Sequence, residues 1–169
     1  MNGWKSARRR ACVFVLSVIS LAAAHAAEPA RDGSGSDSAA QIQFNAKQNA
    51  PPGMTLPFSE SVRAGDMLYL SGEVGIDASG KLVAGGIKAE AKQVMDNIGA
   101  DLARQDSSFD RVVQCTVALA DIADWPAFND VYRGYFKEHF PARMAFAASA
   151  LALGARVEVQ CNAVAGKKR

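Results

Sequence analysis

Arg156-Val157-Glu158-Val159-Gln160-Cys161-Asn162-Ala163-Val164 alternates apolar and polar residues from Val157 to Ala163. Val157, Val159, Cys161 and Ala163 fall on one side and Glu158, Gln160 and Asn162 on the other, the period of a half-buried β-strand. A slip of one residue would carry a carboxylate and two amides into the core. Burial therefore sets the register and places Glu158 on the face opposite Val157 and Val159. Upstream, residues 143–153 are apolar apart from Arg143 and Ser149, and they follow Phe140-Pro141-Ala142. One cation and one carboxylate thus stand on two strand-like runs, a combination suited to a small acid ligand.

Further upstream, residues 111–120 also alternate, with Val113, Cys115, Val117 and Leu119 on one side. Between these strands Phe128, Val131, Tyr132, Tyr135 and Phe136 form one apolar helical stripe. It is preceded by Asp124, a candidate N-cap, and Pro126, which the first turn tolerates. Ile87, Ala91, Val94, Ile98 and Leu102 recur at three- and four-residue spacing opposite Lys88, Glu90, Lys92 and Asp101, which predicts an amphipathic helix. Residues 61–63 and 67–70 flank Ala64-Gly65-Asp66 as a hairpin, and Asp77-Ala78-Ser79-Gly80 marks a turn. Gly85-Gly86 lacks the spacing of a phosphate-binding loop and reads as another turn.

The order is strand pair, helix, strand, helix, strand, strand, which predicts an α+β domain with a mixed sheet and both helices packed on one face. The other face carries Gln114, Thr116, Ala118, Glu158, Gln160 and Asn162. That mixture is too polar for a second core and suits the interior of an oligomer.

At the N-terminus, Lys5 and Arg8-Arg9-Arg10 precede an apolar run, residues 11–24, that ends at Ala24-His25-Ala26. Residues 1–26 read as a cleaved signal peptide, which implies a periplasmic or secreted protein. The apolar run is shorter than the ~20 residues that span a bilayer, so no stable membrane anchor is expected. Residues 27–41, small and polar around Asp32-Gly33-Ser34-Gly35-Ser36-Asp37-Ser38, read as a flexible linker. The folded domain is expected at 42–166, followed by a solvated basic tail at 167–169.

Loss of residues 1–26 removes four basic side chains and no acidic one, taking the formal charge from +2 to −2. The electrostatic support for a nucleic-acid partner goes with the leader. Cys115 and Cys161 remain, each in phase with the core side of its strand. Two buried thiols are the simpler reading, and a disulfide is permitted. His139 has no second ligand once His25 is removed, so no metal site is expected, and no cofactor motif is present.

From about Asn49 to Val164 the chain resembles the Rid/YjgF reactive-intermediate deaminases. The resemblance is carried by Pro57-Phe58-Ser59-Glu60-Ser61-Val62, by Leu68-Tyr69-Leu70-Ser71-Gly72-Glu73, by residues 124–136 with Asn129 and Tyr132, by Phe140-Pro141-Ala142-Arg143 and by Val157-Glu158-Val159. It implies a chorismate-mutase-like fold, a homotrimer, and a site at each subunit boundary that hydrolyses 2-imino (enamine-derived) acids to 2-keto acids and ammonia.

In that resemblance Arg143 grips the substrate carboxylate and Glu158 is the general base that positions water. Ser71 and Asn129 hydrogen-bond the water or the nitrogen, and Phe58 forms an apolar wall. Two positions depart from the family's pattern. Phe58 stands where many deaminating members have Tyr, and Ala145 stands where they often have Cys. The missing hydroxyl at Phe58, together with export, leaves a second reading, a non-catalytic small-carboxylate binder or holdase of the same fold. A ribonuclease role, carried as a label by some members, is disfavoured by the charge of the mature chain.

Overall fold

The computed structural model describes residues 41–47 and 56–166. The expected leader, all of the expected linker except Gln41, and the basic tail lie outside the described residues. So does Asn49, where the family resemblance begins. Two helices and a mixed sheet make an α+β fold: strands β1 (Ile42–Asn45), β2 (Ser61–Ala64), β3 (Met67–Leu70), β4 (Glu73–Val74), β5 (Val112–Leu119), β6 (Ala142–Ala147) and β7 (Val157–Val164), with helices α1 (Gly86–Arg104) and α2 (Trp125–Tyr132). The sheet runs β1-β2-β3-β7-β5-β6, with β4 also pairing β7. Among the described strands only β5 and β6 run parallel; the long connection through α2 makes that geometry possible.

The hairpin predicted around Gly65 forms between β2 and β3, with Gly65 at φ 58, a left-handed conformation open to glycine at little cost. At the second predicted turn, Asp77 Oδ1 accepts from the backbone N–H groups of Ser79 and Lys81, and Gly80 is again left-handed. Helix α1 buries Ala91, Val94, Met95, Ile98 and Leu102, and α2 buries Phe128 and Tyr132. Both stripes meet Leu68, Leu70, Val117, Leu119, Val157 and Val159 in one core. Strand β7 is central because its apolar face supplies that core while three strands draw on its backbone.

Several expectations are adjusted. Strands β1 and β4 were not anticipated: β1 shows only Ile42 and Phe44 as an apolar alternation, and β4 is two residues long and opens on a charge. The apolar run 143–153 is strand only over Ala142–Ala147 and ends in a short 3-10 turn at Ala152–Gly154. Asp124 occupies the N-cap of α2 without bonding its backbone. Its Oδ2 instead accepts from Nε and Nη2 of Arg156 at 3.0 and 2.7 Å, because the preceding turn is already capped by Asp121. Cys115 and Cys161, directly opposed on β5 and β7 and both fully buried, are joined as a disulfide. They occupy the core positions read from the sequence, in the bonded state.

The face away from the helices is open. Tyr69, Met144 and Phe146 are exposed there, by 44%, 59% and 44%. Between them lies a chain of amides. Gln160 Nε2 donates to Asn162 Oδ1 at 2.7 Å, Asn162 Nδ2 to Gln114 Oε1 at 2.9 Å, and Gln114 Nε2 to Thr116 Oγ1 at 3.0 Å. The expected mixed polar surface is therefore internally bonded.

One charged cluster penetrates the core margin at the end of α1. Asp101, Glu60 and Glu73 are buried. Arg104 bonds both Asp101 and Glu60, and Lys47 reaches Glu73 Oε1 at 2.6 Å. Asp101 Oδ2 has no partner. Burial, reinforced by the negative charges of Glu73 and Glu60, pushes the Asp101 carboxyl up to about 7. Burial also raises Glu73, against the Lys47 contact.

Candidate active site

Arg143 is the second residue of β6, in register with Cys115 of β5, so its side chain rises on the helix side of the sheet. There it meets α2. Asn129, one turn before the helix ends, accepts from Arg143 Nη1 through Oδ1 at 2.8 Å. The guanidinium carbon lies 4.8 Å from the ring centroid of Tyr132, 5.6 Å from Trp125 and 6.0 Å from Phe128. A cation among aromatic faces and one amide oxygen is held in place without being neutralised. No carboxylate among the described residues comes within ion-pair distance of it.

A cleft of about 480 Å³ opens over this arrangement, lined by Asn129, Tyr132, Arg133, Phe140, Pro141 and Arg143. The Tyr132 hydroxyl is buried without a partner, and desolvation, partly countered by Arg143, pushes it up to about 12, so it stays protonated. Ala145 is two residues further along β6, on the same side as Arg143, half-buried and packed against the core.

Glu158 stands elsewhere. It pairs with Ala118 of β5 and Val74 of β4, and it projects from the open face, as its alternation requires. Its carboxylate packs over Gly72, where a Cβ would overlap Oε1. Beside Gly72, the Ser71 hydroxyl donates to the Ser59 carbonyl at 2.6 Å and the Ser71 N–H donates to the Glu60 carbonyl at 3.0 Å, tying this corner to the segment that carries Phe58. Phe58 is half exposed. With its proton committed to Ser59, the Ser71 oxygen is left as an acceptor.

The expected site residues thus fall into two groups within one protomer. Arg143, Asn129 and Ala145 lie on the helix side near the β6 edge, and Glu158 lies on the open face against the corner that holds Ser71. Sequence reading assigned no site role to Tyr132, Arg133 or Gly72. Arg133 had a legible signal, since it stands four residues after Asn129 on the same helical face.

Residues 48–165 match the family described as Endoribonuclease L-PSP. The chain belongs to that family. It is 49% identical over 111 residues to the 2-iminobutanoate/2-iminopropanoate deaminase of Capra hircus, a match spanning 65% of this chain and 81% of the relative. The human protein of the same name is 43% identical over 116 residues, covering 68% of this chain and 85% of its own. Among solved structures, RidA from the Antarctic bacterium Psychrobacter sp. PAMC 21119 superposes with a TM-score of 0.66 at 31% identity, covering 72% of this chain and 99% of that one. The Rid/YjgF resemblance and the fold expected from it hold.

Proposed function

We propose that this protein hydrolyses reactive 2-imino acids to 2-keto acids and ammonia, at sites shared between subunits of a homotrimer outside the cytoplasm. The observation that carries the reading is Arg143, an unneutralised guanidinium fixed by Asn129 and three aromatic rings in an open cleft. Such a group receives a carboxylate in a planar, bidentate contact and so orients the carbon next to it. Glu158 supplies the complementary chemistry. A carboxylate takes a proton from water as the water oxygen bonds the imine carbon and passes it to the nitrogen, which has received the C=N electron pair. It then moves the hydroxyl proton of that adduct to the nitrogen as the C=O bond forms, the C–N bond breaks and ammonia leaves. Acid–base help of this kind is worth about two to four orders of magnitude. The acceptor oxygen of Ser71 suits the N–H of the departing amine.

The relatives named as 2-iminobutanoate/2-iminopropanoate deaminases support this reading. The trimer is supported by the exposed Tyr69, Met144 and Phe146 around a bonded amide chain, a surface suited to burial against another copy. Export is supported by the leader-like residues 1–26 and by the Cys115–Cys161 disulfide, a bond that persists in oxidising compartments. Phe58, which lacks a hydroxyl, favours the second reading, a binder without turnover.

The test is ammonia or keto-acid release from imines made in situ by an amino-acid oxidase, comparing the native protein with Arg143→Ala and Glu158→Gln. Rate loss in both variants with the fold intact supports catalysis. No acceleration by the native protein, with ligand binding still measurable by calorimetry, moves the assignment to the binder.

A further inference from the structure

Asn129 holds two cations, not one. Its side-chain oxygen accepts from Arg143 Nη1 at 2.8 Å, and its main-chain oxygen accepts from Arg133 Nε at 3.1 Å. Both arginines are among the residues that line the same cleft of about 480 Å³. Neither is paired with a carboxylate among the described residues, although Arg104 and Arg156 of the same domain both are. Two like charges held at one cleft repel each other, and the arrangement is relieved by a ligand that brings two negative groups.

The cleft's apolar lining, Phe140 and Pro141, offers a surface for methylenes between two charged ends. The two guanidiniums do different work. Arg143 is enclosed by rings and fixed, as suits the carboxylate next to the reacting carbon. Arg133 is exposed in the 3-10 turn that ends α2, with its terminal amines turned to no acid, as suits a more distal group.

We propose that the preferred substrates are 2-imino dicarboxylic acids, with Arg143 receiving the carboxylate beside the imine and Arg133 the distal one. This rests on the deaminase reading and narrows it. The supplying reaction is then the two-electron oxidation of an acidic amino acid to its imine, and the product is a 2-oxo dicarboxylic acid.

The experiment compares imines made in situ by oxidases from L-aspartate or L-glutamate with the imine made from L-alanine. The expected result is a kcat/KM for the dicarboxylic imine at least about tenfold higher, from one added charge-assisted contact. Arg133→Gln should reduce that ratio by about ten- to a hundredfold, and Arg133→Lys, which keeps the charge, should retain part of it. A native ratio near one, or a ratio untouched by Arg133→Gln, overturns the inference and leaves the deaminase reading standing.

If no imine is turned over, the deaminase reading fails and calorimetry decides the inference separately. Tighter binding of 2-oxoglutarate than of 2-oxobutanoate, lost in Arg133→Gln, supports the two-anion cleft. Equal binding of the two acids overturns it. Circular dichroism confirms that each variant folds, Arg133 being exposed and outside the core.

Discussion

Arg143 and Glu158 lie on opposite faces of one sheet. Arg143 is aligned with Cys115 on the helix side, Glu158 is aligned with Ala118 on the open side, and β5 runs between them. In the proposed mechanism, a site that uses both groups would therefore take each from a different copy. Co-expressed Arg143→Ala and Glu158→Gln chains should accordingly regain activity that neither has alone. Random mixing leaves about a quarter of the shared sites with both groups intact. An inactive mixture of correctly assembled chains would show that the two groups do not act at a common site.

Gly72 offers a test of Glu158 that leaves the carboxylate in place. A methyl group there would collide with Oε1, while the backbone at this exposed position is not in a glycine-only conformation. Gly72→Ala should displace the carboxylate and lower kcat by about a hundredfold, the scale expected of a misplacement near 1 Å. Melting temperature should change little. Steady-state kinetics alongside thermal unfolding checks this, and an unaltered kcat would mean that Glu158 has no catalytic position to lose.

The buried carboxyl of Asp101 makes stability depend on pH. Its folded pKa of about 7 stands above the ordinary 3.8, so between those values the native chain keeps a proton that the unfolded chain has released. That contribution is fully present below the lower value and is lost as pH rises through about 7. The groups facing Asp101 are Arg104 on its own helix, Glu60 before β2, Glu73 on β4 and Lys47 beyond β1. Glu73 is raised as well and acts with the same sign. Asp101→Asn, uncharged throughout, should gain stability relative to the native protein as pH goes from about 5 to about 8. Urea denaturation across that range measures it, and parallel curves for the two proteins would contradict the assignment.

The bond between Cys115 and Cys161 closes a chain segment with a sequence separation of 46 residues. Replacing both cysteines with Ala should lower stability by about 2–4 kcal/mol, chiefly through the unfolded state. Reduction should have a similar effect once the core opens to reductant. Thiol titration of the denatured, unreduced protein gives the direct check: two free thiols from these positions would restore the reading as reduced core cysteines.

What the sequence made legible follows from how each signal is encoded. Periodicity carried β7, the burial of α2, β5 from Cys115 onward and the apolar stripe of α1, because those elements bury one face over many residues. It put Val113 on the core side, where a register shift buries Val112 and leaves Val113 exposed, and it put Glu90 and Asp101 of α1 on the solvent side, where both are buried. It missed β4, whose pairing comes from β7 and not from its own two residues, and it cut β6 too long because an apolar run does not mark its own end. Asp124 suited a cap by type, but Arg156, distant in sequence, took its carboxylate. The face of Glu158 was readable from alternation alone. Arg143's was not, since the other positions on its side of the strand, Ala145 and Ala147, are small and give no contrast to set the phase.

The chain of amides from Gln160 through Asn162 to Gln114 has a consequence for company. A surface that covers it must preserve those bonds or match them, and a mismatched neighbour would strand polar groups at about 1–3 kcal/mol each. Greasy residues at the margin, Met144 and Phe146, would accept many comers; the amides would not. Where several chains of this fold are made together, that strip would discriminate among the copies that could cover it.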